Sequence, residues 1–265
     1  MSTQPKRAPW LWPLLLMIGG GVLLLDNFML IEIDPTPYWP VVLVVLGLQL
    51  LWRGDIGPSW QAHSFGITRG SVQSASLEIE SGELDVQLRA LHKSGRLIAG
   101  QYTARSRPGL TVRNNHATLR MQRGQTWWLS LADWDVGLAQ DLPWNILISS
   151  TLGRLDTDLR GLRVERAYVS SGLGSVAVIC PEQVPGTLLA RSTFGDVRIT
   201  IPQDSRALIH VRPTVFGRTS IHSSHVKLLE PGVYATFSGG EASASGEPAD
   251  LHIIASTVFG TIYIQ

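Results

Sequence analysis

The side chains here with a choice of chemistry are a few histidines, a pair of aspartates, one cysteine and a large excess of arginine. His222-Ser223-Ser224-His225 sets two imidazoles three residues apart, with His210 and His252 in neighbouring segments. A shared metal needs both rings on one side, and three residues apart on an extended strand they point to opposite faces. They are expected as exposed turn histidines, and no metal ligand is assigned. Asp156 and Asp158 share one strand face at a spacing that a general acid/base pair can use. Later copies of the same pattern hold Ala177 and Ile179, then Arg198 and Thr200, which favours a solvated outer face with Asp-to-Arg contacts between neighbouring copies.

Cys180 is the only cysteine, so the chain has no internal disulfide framework and no multi-cysteine metal site. It falls in a column with Leu159 and Ile201 and is expected as a buried core thiol. No Gly-x-Ser-x-Gly elbow, phosphate loop or His-Glu-x-x-His occurs. No catalytic residue or cofactor is therefore assigned, and a non-enzyme is expected. Nineteen arginines against three lysines leave one binding chemistry open, because guanidinium groups hold phosphate or carboxylate bidentately.

The elements that must position these residues are of two kinds. With 265 residues, 44% hydrophobic and 16% charged, the chain is folded, and its net charge of +1 gives no basic field for nucleic acid. Residues 10 to 31 and 38 to 52 are two apolar runs, separated by Glu32-Ile33-Asp34-Pro35-Thr36-Pro37. They are long enough for a transmembrane helical hairpin over 10–53, the second span being short. Trp10, Trp12 and Trp52 at one interface and Trp39 at the other form an aromatic belt, with Arg53 closing the second span. A cleaved signal peptide fits less well, since Asp26-Asn27-Phe28 offers no small-x-small site. Lys6, Arg7 and Arg53 flank the hairpin while only acids lie in its turn, which places the 1–9 tail and everything after the hairpin in the cytoplasm.

After a linker at 54–70 the pattern becomes short alternating segments punctuated by glycine, an all-β domain. Gly153, Gly174, Gly195, Gly217 and Gly260 share a local frame, spaced 21, 21, 22 and 43 residues apart. A repeat of 21 to 22 residues predicts a β-solenoid-like stack over 149–265, with a degenerate copy near Gly239 filling the long interval. Residues 71–148 form its N-terminal cap. Before each glycine stands Leu152, Leu173, Phe194, Phe216 or Phe259, and three before it Ser150, Ser171, Ser192, Thr214 or Thr257. Stacked at strand spacing, these become an apolar ladder and a hydroxyl ladder. Residues two and four past the glycine, such as Val176 and Val178, face one interior. The chain stops on Ile262-Tyr263-Ile264-Gln265, an uncapped last rung that could pair with a second copy.

Two sets of residues resemble a known family. Gly19 to Phe28, Tyr38-Trp39-Pro40 and the run ending Leu51-Trp52-Arg53 resemble the LiaI/LiaF-like transmembrane region of bacterial envelope proteins. Leu77-Glu78-Ile79-Glu80-Ser81-Gly82-Glu83-Leu84, Ala99-Gly100-Gln101-Tyr102, Leu152 to Leu162 and the repeated Phe-Gly units are similar to toast-rack and LiaF-like C-terminal domains. The resemblance implies a multi-pass bacterial membrane protein that modulates a sensor kinase in the response to cell-envelope damage. It implies no catalytic residues. A second function class, sensing of an envelope lipid or antimicrobial peptide along the arginine-bearing strands, stays open.

Overall fold

Apolar residues at every second position make each strand two-faced, and stacking them buries one face. In β2, Ser74–Glu80, Ala75, Leu77 and Ile79 are buried while the residues between them are not. The computed structural model describes residues 62–92, 95–103, 106–123, 133–203, 205–212, 216–223, 225–236 and 249–265, all within the compact unit Arg53–Gln265. The expected hairpin with Trp10, Trp12, Trp39, Trp52 and Arg53, the residue Thr214 and the copy near Gly239 lie outside the described residues. Among the described residues no helix is long and apolar enough to cross a membrane.

The remaining strands are β1 (Ala62–Thr68), β3 (Asp85–Leu91), β4 (Arg96–Thr103), β5 (Gly109–Arg113), β6 (His116–Gln122) and β7 (Asp133–Ala139). There follow β8 (Pro143–Ser150), β9 (Leu155–Asp158), β10 (Arg163–Ser171), β11 (Val176–Ile179), β12 (Thr187–Phe194) and β13 (Val197–Thr200). The chain ends with β14 (Ala207–Val211), β15 (Phe216–Ile221), β16 (Val226–Glu230), β17 (Val233–Thr236) and the long β18 (Leu251–Ile264). A rung is one long strand, a corner and one short strand, and parallel pairing stacks rungs into two flanks.

The long flank runs β5, β6, β2, β8, β10, β12, β18, β14, β17, β16. The short flank runs β1, β4, β7, β3, β9, β11, β13, β18, β15. Strand β18 bends at Gly260 and belongs to both flanks, which joins all the strands into one 18-stranded sheet. The core between the flanks is a set of ladders. One runs Leu119, Leu77, Ile146, Ala167, Leu188, Ile253 and Ile209 through successive rungs of the long flank, every member buried. On the short flank Val86, Leu155, Val176, Val197 and Ile262 do the same. Each such ladder removes apolar surface at roughly 25 cal/mol per Å².

The structure adds detail to these expectations. The last rung in sequence is not the last in space, because β18 lies between β12/β13 and β14/β15, so its edges are both paired. Strand β18 therefore offers no free edge, and among the described residues the strand beyond it on the short flank is β15, where Thr219 and Ile221 are exposed. The cap at 71–148 is itself built as rungs, with β6/β7 stacked outside β2/β3. Strand β1 occupies 62–68 inside the stretch expected as linker, because Phe65 and Ile67 pack on the core while β1 pairs with β4. The 43-residue interval contains the antiparallel β16–β17 hairpin, which extends the long flank past the rungs.

The corners explain the glycines. Ser171 Oγ donates to the carbonyl oxygen of Gly153 in the preceding rung at 3.0 Å and accepts from the N–H of Gly174 at 2.9 Å. Ser192 and Thr257 donate in the same way to Gly174 and Gly195, at 2.9 and 2.8 Å. Gly153, Gly174, Gly195 and Gly260 each pack against the backbone of the neighbouring rung. A Cβ on Gly174 would lie 2.6 Å from the carbonyl carbon of Gly153. Gly195 and Gly260 add φ of 154°, a region closed to most side chains.

Ser171→Ala is expected to destabilise the full chain by about 1–3 kcal/mol, since a buried carbonyl and an N–H both lose their hydroxyl partner. Gly174→Ala should cost more than about 3 kcal/mol through the backbone clash, and outward Ser170→Ala less than about 0.5 kcal/mol. Urea denaturation of the three variants checks the order.

Candidate interaction surface

Because the hydroxyl turns inward and the glycine packs on backbone, the residue just before each glycine is driven out of the corner. Leu152, Leu173, Phe194, Phe259 and Phe216 accordingly form the expected apolar ladder on the outside of the stack, each at least 40% exposed. Phe259 sits between its two partners, with ring centroids 4.7 Å from Phe194 and 4.8 Å from Phe216 and planes within 3° and 8° of parallel. This spacing is that of the strands themselves. Backbone pairing sets Phe194 and Phe216 each opposite Phe259, and Gly217 opposite Gly260. Five large apolar side chains in one continuous line are unlike scattered exposed residues, and such lines mark contact surfaces. Leu147 and Tyr168, neighbours on β8 and β10, are also exposed on the outer face of the long flank.

The residues singled out for chemistry do not assemble into a reactive site. Asp156 and Asp158 share the outer face with Ala177 and Ile179 as expected, but their arginine contacts are made within their own rung. Asp156 lies 3.7 Å from Arg154, and Asp158 is held by Arg160 at 2.6 and 2.9 Å. Hydrogen bonds from Arg160 keep the Asp158 carboxyl below the usual carboxylate range, which unsuits it as a general acid. Asp133 is raised, first by partial burial and then by Asp85 beside it, while Asp85 itself accepts the backbone N–H of Arg154 at 2.7 Å. His222 leans on the Tyr263 ring at 5.9 Å, and Arg198 lies over the other side of the row, 5.6 Å from the same ring. Among the described residues no group of His, Cys, Asp and Glu is placed to hold a metal.

Cys180 is fully buried in the column of Leu159 and Ile201, and burial pushes its thiol up to about 12. At the entry to β18, Arg206 clamps Asp250 through two hydrogen bonds of 2.9 and 3.1 Å, and backbone N–H groups of Asp250 and Leu251 donate to the Arg206 carbonyl. This clamp was not legible in the sequence. It seats the final strand between rungs that precede it by dozens of residues.

The stack, its glycine corners and its outward apolar ladder define a β-repeat module. Residues 64–184 match the family model described as the N-terminal domain of toast_rack, DUF2154. The chain is similar in fold to the crystal structure of a candidate cell adhesion protein from Clostridium sporogenes, at 13% identity and a TM-score of 0.65, covering 77% of this chain and 97% of that one. A candidate adhesin from Bacteroides fragilis aligns at 11% identity and a TM-score of 0.31, over 78% of this chain and 99% of its own. No curated protein sequence matches the chain. No enzyme family is indicated.

Two expectations follow. Cys180 should resist thiol reagents at pH 7 to 8 in the native protein and react fully in denaturant; rapid native labelling would contradict its burial. Asp250 has a lowered folded pKa, so its contribution is present above the unfolded value of about 3.9 and is lost as pH falls through the folded one. Asp250→Asn should therefore cost up to about 1 kcal/mol at pH 7 and progressively less as pH falls through the folded value, measured by chemical denaturation at each pH.

Proposed function

We propose that the chain is a non-enzymatic, membrane-anchored regulator or scaffold that modulates a membrane sensor in the cell-envelope stress response through its β-repeat domain. The observation that carries this reading is the ladder Leu152, Leu173, Phe194, Phe259, Phe216, an apolar contact line held on a rigid stack. Its side chains are already ordered against one another, so docking costs little further conformational entropy. The apolar runs at 10–31 and 38–52 would tether the domain to the bacterial membrane, and the basic flanks favour the cytoplasmic side. A sensor kinase is the partner class that the family resemblance implies.

The test is photocrosslinking in native membranes from a reactive residue placed at Leu173, followed by identification of the partner. A membrane sensor should be captured, and the Phe194→Ser/Phe259→Ser variant should lower its yield about tenfold while the melting temperature moves little. Crosslinks to no membrane sensor or envelope protein, or a yield indifferent to the two substitutions, would sink the reading.

A further inference from the structure

Most arginines whose side chains are described close to a carboxylate are matched: Arg89 with Asp135, Arg120 with Glu78, Arg160 with Asp158 and Arg206 with Asp250. Among the exposed arginines of the long flank that are not, Arg191 and Arg212 stand together on its outer face. Arg191 on β12 pairs across the ladder with Ser256 on β18, and just past β14 the N–H of Arg212 donates to the Ala255 carbonyl at 3.0 Å. Arg191, Ser256 and Arg212 therefore stand in one row on three adjacent chain segments. Strands about 4.8 Å apart put the two arginine backbones roughly 10 Å from each other, near enough for both guanidinium groups to converge above Ser256. Both arginines are exposed, and among the described residues neither guanidinium has an ion-pair or hydrogen-bond partner. The outward positions of β12, β18 and β14 carry hydroxyl, apolar, histidine and arginine side chains and no carboxylate.

The surroundings of the row are apolar. Tyr168, Leu189 and Ile254 lie on one side of it and Val258 on the other, and together with the two arginines they line a shallow groove of about 290 Å³. Beyond Val258 the phenylalanine ladder begins. Two unmatched cations over a hydroxyl, set into an apolar floor, complement a ligand that is anionic at one end and apolar at the other. A free phosphate would use the cations and leave the floor idle.

We propose that this groove binds the headgroup of an anionic phospholipid at a bilayer surface, with Arg191 and Arg212 taking the phosphate from two sides and Ser256 donating a hydrogen bond to it. The acyl region lies against Tyr168, Leu189 and Ile254. The inference rests on the membrane-anchored reading for the nearness of lipid, and on the groove alone for its selectivity.

The experiment uses the full chain reconstituted in phosphatidylcholine vesicles that carry a trace of photoactivatable phosphatidylglycerol or, in parallel, photoactivatable phosphatidylcholine. Labelling of peptides spanning 187–194 or 251–259 should be about tenfold higher with the anionic probe. It should fall to the phosphatidylcholine level in the Arg191→Gln/Arg212→Gln variant, whose melting temperature stays within a few degrees of the parent because both side chains are exposed. Equal labelling by the two probes, or labelling indifferent to the double substitution, overturns the proposal. So does full displacement by millimolar glycerol phosphate, which would make a soluble phosphate the occupant, or a crosslink that joins two copies of the chain through these peptides. Carbonate washing of the same vesicles reads the anchoring separately: release of the chain removes the anchored reading and leaves a positive headgroup result standing.

Discussion

At the described corners of the stack a serine or threonine hydroxyl reaches from one rung to the glycine carbonyl of the neighbouring rung, as Ser171 does to Gly153 and Ser192 to Gly174. These buried hydroxyls would be costly without partners, and the carbonyls they meet sit where a strand ladder has just ended. The contact forces small residues at two places: the hydroxyl side chain must fit inside the corner, and the glycine must let the neighbouring backbone lie against it. It also dictates what shows on the outside. With the hydroxyl turned in and the glycine closed against backbone, the residue just before the glycine turns outward, and at the described corners it is Leu152, Leu173, Phe194 or Phe259.

The candidate surface is thus a consequence of how the corners close. The apolar line of Leu152 through Phe216 and the arginine row beside it are displayed on rungs whose inner faces are locked into the core, so their geometry is set before any partner arrives. The core supplies the rigidity and the outer positions supply the chemistry. Reactive groups follow the same division: Cys180 is consumed by the core, and the aspartates on the outer face are held by nearby arginines.

The regular part of this arrangement was legible because it repeats. Glycines at a constant interval, hydroxyls three residues before them and alternating apolar residues after them located the rungs, the inward columns and the buried thiol, each from local pattern alone. Rung order was not legible. The inner residues of β18, Ile253 and Ile262, would suit the end of the stack as well as its interior, since any aliphatic ladder accepts any other. What selects the interior place is long-range: the Arg206 clamp on Asp250, the Asp196 carboxylate accepting the Thr261 N–H at 2.8 Å, and Phe259 fitting between Phe194 and Phe216. None of these pairs has a signature in a single sequence. The same holds at the other end, where β6/β7 stacks outside β2/β3, and for β1, whose short run His63-Ser64-Phe65-Gly66-Ile67 looks like linker until β4 is beside it.

The interior position of β18 is the claim on which the rung order, the closed C-terminal edge and the continuous phenylalanine ladder all depend. Hydrogen exchange of the full chain, read peptide by peptide, tests it directly. Amides of 251–264, paired on both sides, should exchange as slowly as those of 187–194 and far more slowly than those of 216–221 at the edge. Exchange of 251–264 as fast as the edge strand would contradict the account and put the C-terminal strand at the end of the stack.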